Sequence, residues 1–285
     1  MVDGIESNVA IFADDTKLCR AMETPGDRDV LQEDLNKLAT WAHTWQMEFN
    51  VDKCKVMHLG RANMACTYTL HGRQLGTTEL EKDLGVLIDN KLSSSTHCQA
   101  AAAKANRVLG CIKRGIRSRD AGVILPLYRS LVRPHLEYGV QFWAPHWKKD
   151  ICRLETVQRR ATKLLNGMDG LGYNKRLEKL NMYSLEKRRL RGDLITMYKY
   201  MRGQYKELAE ELFIPKTVQR TRGHHLHMEQ KRFYHEGRRG FFTVRVVNLW
   251  NALPCGVVGA TSIKQFKERL DKFLRENDIH GYAAL

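Results

Sequence analysis

Residues 7–19 read SNVAIFADDTKLC, and this stretch sets the architecture of the N-terminal part of the chain. SNVAIF is a short apolar run with β-branched members, which predicts a strand. ADDT is a turn sequence, and Lys17 to Cys19 would begin the returning strand. The stretch therefore predicts a β-hairpin that carries two carboxylates, Asp14 and Asp15, at its tip.

Downstream of the hairpin, helical and strand-like patterns alternate. Apolar residues recur at helical spacing between Val30 and Trp45, which predicts an amphipathic helix over residues 28–45. Lys55 to Leu59 predicts a further strand. Residues 67–90 predict a β-meander in which the last strand covers residues 84–88.

Beyond residue 92 almost every periodic segment is helical. Helices are predicted over residues 96–115, 120–132, 150–166, 184–202 and 262–275, the last three with Asp150, Ser184 and Ser262 as caps. The second should end before Arg133-Pro134, since a proline disfavours helical backbone in the residue before it. Residues 215–240 predict a basic loop, and residues 241–250 fit either a strand or a buried helix.

The overall pattern is that of an α+β fold. A small antiparallel β part with one long helix occupies residues 1–92, and a mainly α-helical part occupies residues 93–285. No stretch approaches the roughly 18 to 20 apolar residues of a membrane span. The N-terminus lacks the features of a secretion signal, so we expect an intracellular protein, in the nucleus, the cytoplasm or both, that is not secreted and has no membrane partner. The seven scattered cysteines argue against a disulfide framework.

The net charge of +15 is unevenly divided along the chain. Residues 1–100 hold 10 basic and 15 acidic side chains, whereas residues 101–285 hold 37 basic and 17 acidic ones, a net charge of +20. Such asymmetry is typical of a chain that binds a polyanion through one part. A charge this large exceeds what solubility needs, which favours nucleic acid as the partner over a merely solubilising surface.

Adjacent carboxylates at a hairpin tip suggest metal chemistry. Asp14 and Asp15 repel each other unless a cation neutralises them, and Mg²⁺ prefers such oxygen ligands. In nucleotidyl transfer, two ions can activate the attacking hydroxyl and stabilise the leaving oxygen. Taken alone, however, an Asp-Asp pair in a turn is more often explained by turn chemistry.

Three motifs resemble those of a known enzyme family. FADDTKL, residues 12–18, resembles the aromatic-Ala-Asp-Asp motif of reverse transcriptases in non-LTR (LINE-type) retrotransposons. NVDKC, residues 50–54, resembles the next motif of these RNA-directed DNA polymerases, and Leu84-Gly85-Val86 resembles the hairpin that grips the primer end. Later segments, among them LYRSLVRPHLEYGVQFWAPHWKKDI and FFTVRVVNLWNALP, resemble the thumb and C-terminal region of jockey-like polyproteins.

The resemblance implies a role for each motif. Residues 1–92 would be a partial polymerase palm, and residues 93–285 the thumb and C-terminal region. Asp14 and Asp15 would be catalytic ligands of Mg²⁺, and Lys53 a general acid toward the leaving pyrophosphate. Leu84 and Gly85 would contact the nucleic acid, where a glycine allows close backbone approach.

The resemblance also implies a third carboxylate on a palm strand well upstream of the hairpin. Met1 stands only thirteen residues before Asp14, so we expect this chain to lack that ligand, together with the fingers and the template-binding motif. Removing one member of a unit that acts together abolishes most of the rate. We therefore expect a truncated nucleotidyltransferase that is inactive alone.

Two helices carry basic side chains that predict nucleic-acid binding. They are Arg153, Arg160 and Lys163 on helix 150–166, and Lys187, Arg188, Arg189 and Arg191 on helix 184–202. Contacts with phosphates carry no base information, so binding to RNA and DNA, as template-primer or target DNA, should be sequence-independent. The alternative for such residues is a solvated helix face.

Two other hypotheses stay open for the chain as a whole. One is a non-enzymatic basic RNA/DNA-binding protein built from the thumb and C-terminal helices. The other is a basic helical scaffold that binds a protein partner. Binding to RNA and DNA that weakens steeply with salt would favour the nucleic-acid readings over the scaffold.

Overall fold

The computed structural model describes residues 3–60, 63–205, 212–216, 224–230, 232, 238, 240–277 and 279. The chain divides into two compact units, Met1–Ser93 and Ser94–Leu285. Short, mostly antiparallel strand pairs and one long helix form the first unit, and helices dominate the second. The predicted α+β class, with its β part at the N-terminus, is confirmed.

The first unit begins with the predicted hairpin. Strand β1 (Asn8–Phe12) pairs antiparallel with β2 (Asp15–Cys19), and helix α1 (Gly26–Thr44) follows. The remaining strands are short: β3 (Lys55–Val56), β4 (Thr69–Leu70), β5 (Arg73–Gln74), β6 (Gly76–Thr77), β7 (Leu80–Asp83) and β8 (Val86–Asp89). Strands β4–β5 and β7–β8 form hairpins, whereas β3 pairs parallel with β6.

Two predicted strands of this unit are wrong in extent. Strand β3 ends at Val56, three residues before the predicted end. The predicted strand 84–88 does not begin at Leu84, because Leu84 and Gly85 are the turn between β7 and β8. Their φ angles of 44° and 87° match the two-residue turn with positive φ at both positions, whose twist suits a hairpin.

A buried carboxylate connects α1 to the start of β1. The Asp34 side chain is fully buried and accepts the amide of Ser7 (2.8 Å) and the amide of Glu6 (3.2 Å). Lys37 Nζ lies 3.4 Å from the same carboxylate. These bonds fix the chain immediately before β1, so the position of the Asp14–Asp15 hairpin depends on Asp34.

The second unit is built from helices of very different length. They are α2 (Ser95–Gly115), α3 (Ala121–Leu127), α4 (Arg133–Glu137), α5 (Val140–Trp143), α6 (Lys148–Lys163), α7 (Tyr173–Lys179), α8 (Leu185–Met201), α9 (Phe242–Asn251), α10 (Cys255–Val258) and α11 (Ile263–Glu276). Helix α2 packs against α6, and α8 packs against α6, α9 and α11. None of the helices in the described ranges is long and apolar enough to cross a membrane.

The helix predicted to stop before Arg133-Pro134 continues past the proline. Between α3 and α4, Tyr128–Val132 form a π-helical turn, and α4 runs on to Glu137. Proline lacks an N–H and its ring clashes with the preceding turn of a regular α-helix. A π turn widens the backbone at this point, so the helical path accommodates Pro134 and ends near Gly139, where φ is 62°.

Two of the three predicted caps are confirmed. Ser184 Oγ and Ser262 Oγ each accept the amide three residues later, at 3.1 and 3.2 Å. The third is wrong, because α6 begins at Lys148 and Asp150 lies inside its first turn. Asp150 is fully buried instead, where its carboxylate accepts hydrogen bonds from Ser95 Oγ and Arg153 Nη1.

The main core of the second unit lies between α8, α9 and α11. Its fully buried members include Leu190, Leu194, Trp250, Phe266 and Leu270. The sequence left a strand or a buried helix open for residues 241–250. Residues 242–251 form a helix, α9, with buried apolar side chains, so the buried helix is the correct alternative. Much of the predicted basic loop at 215–240 lies outside the described residues; within it, Pro215 and Met228 form an isolated β-bridge.

Candidate catalytic hairpin and nucleic-acid interface

The carboxylate hairpin has a two-residue turn. Phe12 pairs with Asp15 across the strands, so Ala13 and Asp14 form the turn. Ala13 has a φ of 53°, which is unfavourable for any residue with a Cβ. Both aspartates are exposed, and Ile11 and Phe12 are 48% and 62% exposed. The hairpin therefore presents its carboxylates to solvent beside an uncovered apolar pair.

One ion pair joins the carboxylate hairpin to the hairpin that contains Leu84 and Gly85. Lys17, on β2, donates from Nζ to Asp83 Oδ2 at the end of β7. Leu84 follows directly and is 45% exposed. The structure thus brings together the two motifs that the sequence placed about seventy residues apart.

Lys53 lies in a turn and is not joined to the aspartates by any contact of the described residues. Its amide donates to the Asn50 backbone oxygen (3.0 Å) and to Asn50 Oδ1 (3.2 Å), which shapes the turn before β3. The Lys53 side chain is exposed. The structure leaves its predicted role as general acid untested.

The carboxylate hairpin fits a divalent cation only in part. Asp14 and Asp15 offer hard oxygen ligands of the kind Mg²⁺ prefers. Nowhere in the described ranges, however, do three His, Cys, Asp or Glu side chains form a group that could hold a metal ion. Among the described residues, Asp14 and Asp15 therefore do not form a complete metal centre, and their predicted role as metal ligands stays a prediction.

Helices α2 and α6 form a strongly basic surface. Helix α2 contains no acidic residue, and the two acidic residues of α6, Asp150 and Glu155, are both buried. Every exposed charged side chain on these two helices is therefore basic. The ten are Lys104, Arg107, Lys113, Arg114, Lys148, Lys149, Arg153, Arg159, Arg160 and Lys163. We call this set the α2–α6 basic face.

Three predicted nucleic-acid-binding residues belong to this face. Arg160 Nη1 donates to Asn106 Oδ1 of α2 (3.1 Å), which joins the exposed edges of the two helices. Arg153 bonds to the buried Asp150 (3.1 Å) and keeps 41% of its side chain exposed. Lys163 is exposed at the end of α6. The structure therefore places all three where a polyanion has access to them.

The predicted basic cluster at the start of α8 is not one surface, and two of its members are buried. Lys187 donates from Nζ to the Leu274 backbone oxygen (2.8 Å). Arg189 is only 2% exposed. The prediction that these two side chains contact nucleic acid is corrected, because residues one and two positions apart face different sides of a helix.

The other two members of that cluster pair with carboxylates. Arg188 donates to Glu137 through Nε and Nη2, and this pairing raises the pKa of Arg188. Arg191 donates to both oxygens of Asp271, at 2.5 and 2.9 Å. Both guanidinium groups are partly exposed, so each retains donors for a further ligand.

Sequence reasoning missed the contribution of α2 to the basic face. The signal was present, since Lys104, Arg107 and Arg114 are spaced three and seven residues apart in a segment with no acidic residue. Such spacing places them on one side of a helix. Their common face with α6 depended on the packing of the two helices, which the sequence does not show.

The chain is similar to RNA-directed DNA polymerases of non-LTR retrotransposons, which confirms the resemblance inferred from its motifs. The RNA-directed DNA polymerase from mobile element jockey of Drosophila melanogaster is 27% identical over 172 residues, which cover 58% of this chain and 19% of that protein. Its counterpart in Drosophila funebris is 27% identical over 171 residues, covering 56% and 18%. The probable RNA-directed DNA polymerase from transposon X-element of Drosophila melanogaster is 25% identical over 182 residues, covering 58% and 19%.

The chain spans about a fifth of the length of the curated relatives it matches. No protein-family model matches it. No solved structure matches it either.

Proposed function

We propose that this chain is a segment of a reverse transcriptase whose second unit binds RNA and DNA through the α2–α6 basic face. One observation carries the proposal: all ten exposed charged side chains on these two helices are basic, and their only acidic side chains are buried. A solvated helix face ordinarily mixes both signs. Lysine and arginine neutralise phosphates and release counterions, which supplies most of the affinity in sequence-independent binding.

The composition of the face favours contacts with phosphates over contacts with bases. Lysine and arginine can pair with phosphate oxygens in any sequence, whereas base reading needs side chains held toward base edges. Asn106, an amide side chain within the face, already accepts a bond from Arg160. We therefore expect similar affinity for oligonucleotides of different sequence.

Fluorescence anisotropy with labelled RNA and DNA tests this proposal. The triple variant Arg107→Gln, Arg160→Gln, Lys163→Gln should bind at least about tenfold more weakly than the unmodified chain, since three phosphate contacts are lost. A control of equal net charge is Lys264→Gln, Lys267→Gln, Lys272→Gln on the exposed side of α11. Equal weakening in both variants would show that only net charge matters and would contradict the proposed interface.

We further propose that the carboxylate hairpin supplies two ligands of a Mg²⁺ site that is incomplete in this polypeptide. The support is the lack, among the described residues, of a third ligand near Asp14 and Asp15. The 285-residue chain should therefore show no primer extension with Mg²⁺, template-primer and nucleotides. Template-directed extension that disappears in Asp14→Ala would overturn this part of the proposal.

The second candidate is a non-enzymatic RNA/DNA-binding protein, which the same incomplete ligand set favours. The two differ in how the hairpin responds to Mg²⁺. In a polymerase segment, Asp14 and Asp15 would bind Mg²⁺ and the Leu84–Gly85 turn would contact the primer end, so Mg²⁺ should strengthen template-primer binding and Asp14→Ala should remove that effect. Template-primer binding that changes neither on addition of Mg²⁺ nor in Asp14→Ala would favour the non-enzymatic protein.

A further inference from the structure

A polar cleft of about 390 Å³ opens on the second unit. None of the described residues that line it belongs to α2 or α6. Its charged walls come from the π turn, α4, α8 and α11. They are Arg129, Arg133, Arg188, Arg191, Arg275 and Asp271. Arg129 and Arg133 are four residues apart and Arg188 and Arg191 three apart, so each pair lies on one side of its helical segment.

Positive charge exceeds negative charge in and beside this cleft. Glu137 pairs with Arg188 (Nη2 to Oε2, 2.9 Å) and lies 3.6 Å from Arg133. Asp271 is engaged by Arg191. Five guanidinium groups thus face two carboxylates, a net charge of +3. Burial and the neighbouring Arg188 lower the pKa of Arg133, as expected where cations crowd together.

Hydrogen-bond donors also exceed hydrogen-bond acceptors in this cleft. Each guanidinium carries five N–H donors and no acceptor. The Arg129 guanidinium donates no hydrogen bond to the described residues, and Arg275 donates from Nε to the Tyr183 hydroxyl (3.2 Å). The carboxylates of Glu137 and Asp271 accept from only a few of the remaining donors. This surplus repels cations and does not suit an apolar ligand.

We propose that the cleft binds a phosphate group. A phosphate supplies several acceptor oxygens and up to two negative charges, and arginine pairs with such oxygens through two parallel bonds. The group comes from one of two sources, the backbone of a bound nucleic-acid strand or free pyrophosphate. Only the first source rests on the proposed function of the second unit.

Isothermal titration of the full chain with inorganic pyrophosphate tests the cleft. The unmodified chain should bind, and Arg129→Gln with Arg133→Gln should weaken binding at least about tenfold. Arg269→Gln removes an exposed guanidinium of α11 that lies two positions from Asp271 and so on another side of the helix, and it should leave the affinity unchanged. Arg129→Gln alone serves if the double variant unfolds, because the Arg129 side chain is exposed and donates no hydrogen bond to the described residues.

A variant that is expected to bind more tightly separates ligand binding from a structural role. In Asp271→Asn, a carboxylate that competes for Arg191 is removed and the net charge of the cleft rises. Pyrophosphate should therefore bind several times more tightly, although the variant loses an ion pair and gains no stability. No binding by the unmodified chain, or weaker binding in a folded Asp271→Asn, would overturn the proposal.

Competition identifies the source of the phosphate. If an eight-nucleotide strand displaces pyrophosphate, the cleft holds the nucleic-acid backbone; if both bind together, it holds a free phosphate, and either result supports the cleft. Pyrophosphate binding in a chain that binds no RNA or DNA would refute the proposed function and leave the cleft standing. Nucleic-acid binding without pyrophosphate binding would refute the cleft proposal and leave the proposed function standing.

Discussion

Asp34 should control the order of the carboxylate hairpin, although it lies outside the motif. Replacement by alanine leaves the buried Ser7 amide without an acceptor, which costs about 1–3 kcal/mol. The hydrogen bond from the Glu6 amide is only partly buried, so its loss adds about 0.5–1.5 kcal/mol. We therefore expect Asp34→Ala to lower the free energy of unfolding of the first unit by about 1.5–4.5 kcal/mol.

The same carboxylate predicts a pH dependence. Burial raises the pKa of Asp34, but hydrogen bonds from Ser7, Glu6 and Lys37 outweigh it, and the net pKa lies below its ordinary value of 3.8. A depressed pKa means that the contribution to stability is complete above the unfolded value and is lost as the pH falls through the folded one. Asp34→Asn should remove that acid-sensitive contribution.

Urea unfolding and hydrogen exchange of the Asn8–Phe12 amides measure these effects. Exchange in β1 should accelerate in Asp34→Ala under conditions where the second unit keeps its protection. Asp29→Asn is the matched control, since this aspartate lies on the same helix with 78% of its side chain exposed. An Asp34→Ala chain as stable as the control would refute the anchoring role.

Three further substitutions have predictable effects on stability or on its pH dependence. Ala13→Gly should stabilise the first unit by about 1 kcal/mol in urea unfolding, since glycine accepts a positive φ without strain; a loss of stability would contradict this. Arg189→Met should raise the unfolding free energy by about 1–3 kcal/mol, because the buried guanidinium donates no hydrogen bond to the described residues, and destabilisation would count against it. Thr24 and Arg20 hydrogen bonds lower the pKa of Asp27 to about 2, so acid titration of Asp27→Asn should show a flatter stability curve between pH 4 and 2.

The sequence predicted local structure well where periodicity and capping act within one segment. Helices α2, α8 and α11 and the first hairpin fall within a few residues of their predicted bounds, because apolar spacing and the Ser184 and Ser262 caps are local signals. The path through Pro134 was not predictable in this way. It depends on a π turn, which leaves no distinct mark in the sequence.

The candidate site was predictable as a set of motifs but not as a surface. Asp14 and Asp15 occupy the predicted hairpin, whereas Lys187 and Arg189 point into the protein. A run of basic residues says how much charge a helix carries, but tertiary packing decides which side meets solvent. The basic face required the packing of α2 on α6 and the burial of both acidic residues of α6.

Salt dependence tests the central claim of nucleic-acid binding most directly. The logarithm of the affinity for a single-stranded oligonucleotide should fall linearly with the logarithm of salt concentration, with a slope of about −0.7 for each neutralised phosphate. The triple variant Arg107→Gln, Arg160→Gln, Lys163→Gln should reduce the magnitude of that slope by about 2. Parallel lines for the variant and the unmodified chain would show that α2 and α6 do not contact the phosphates.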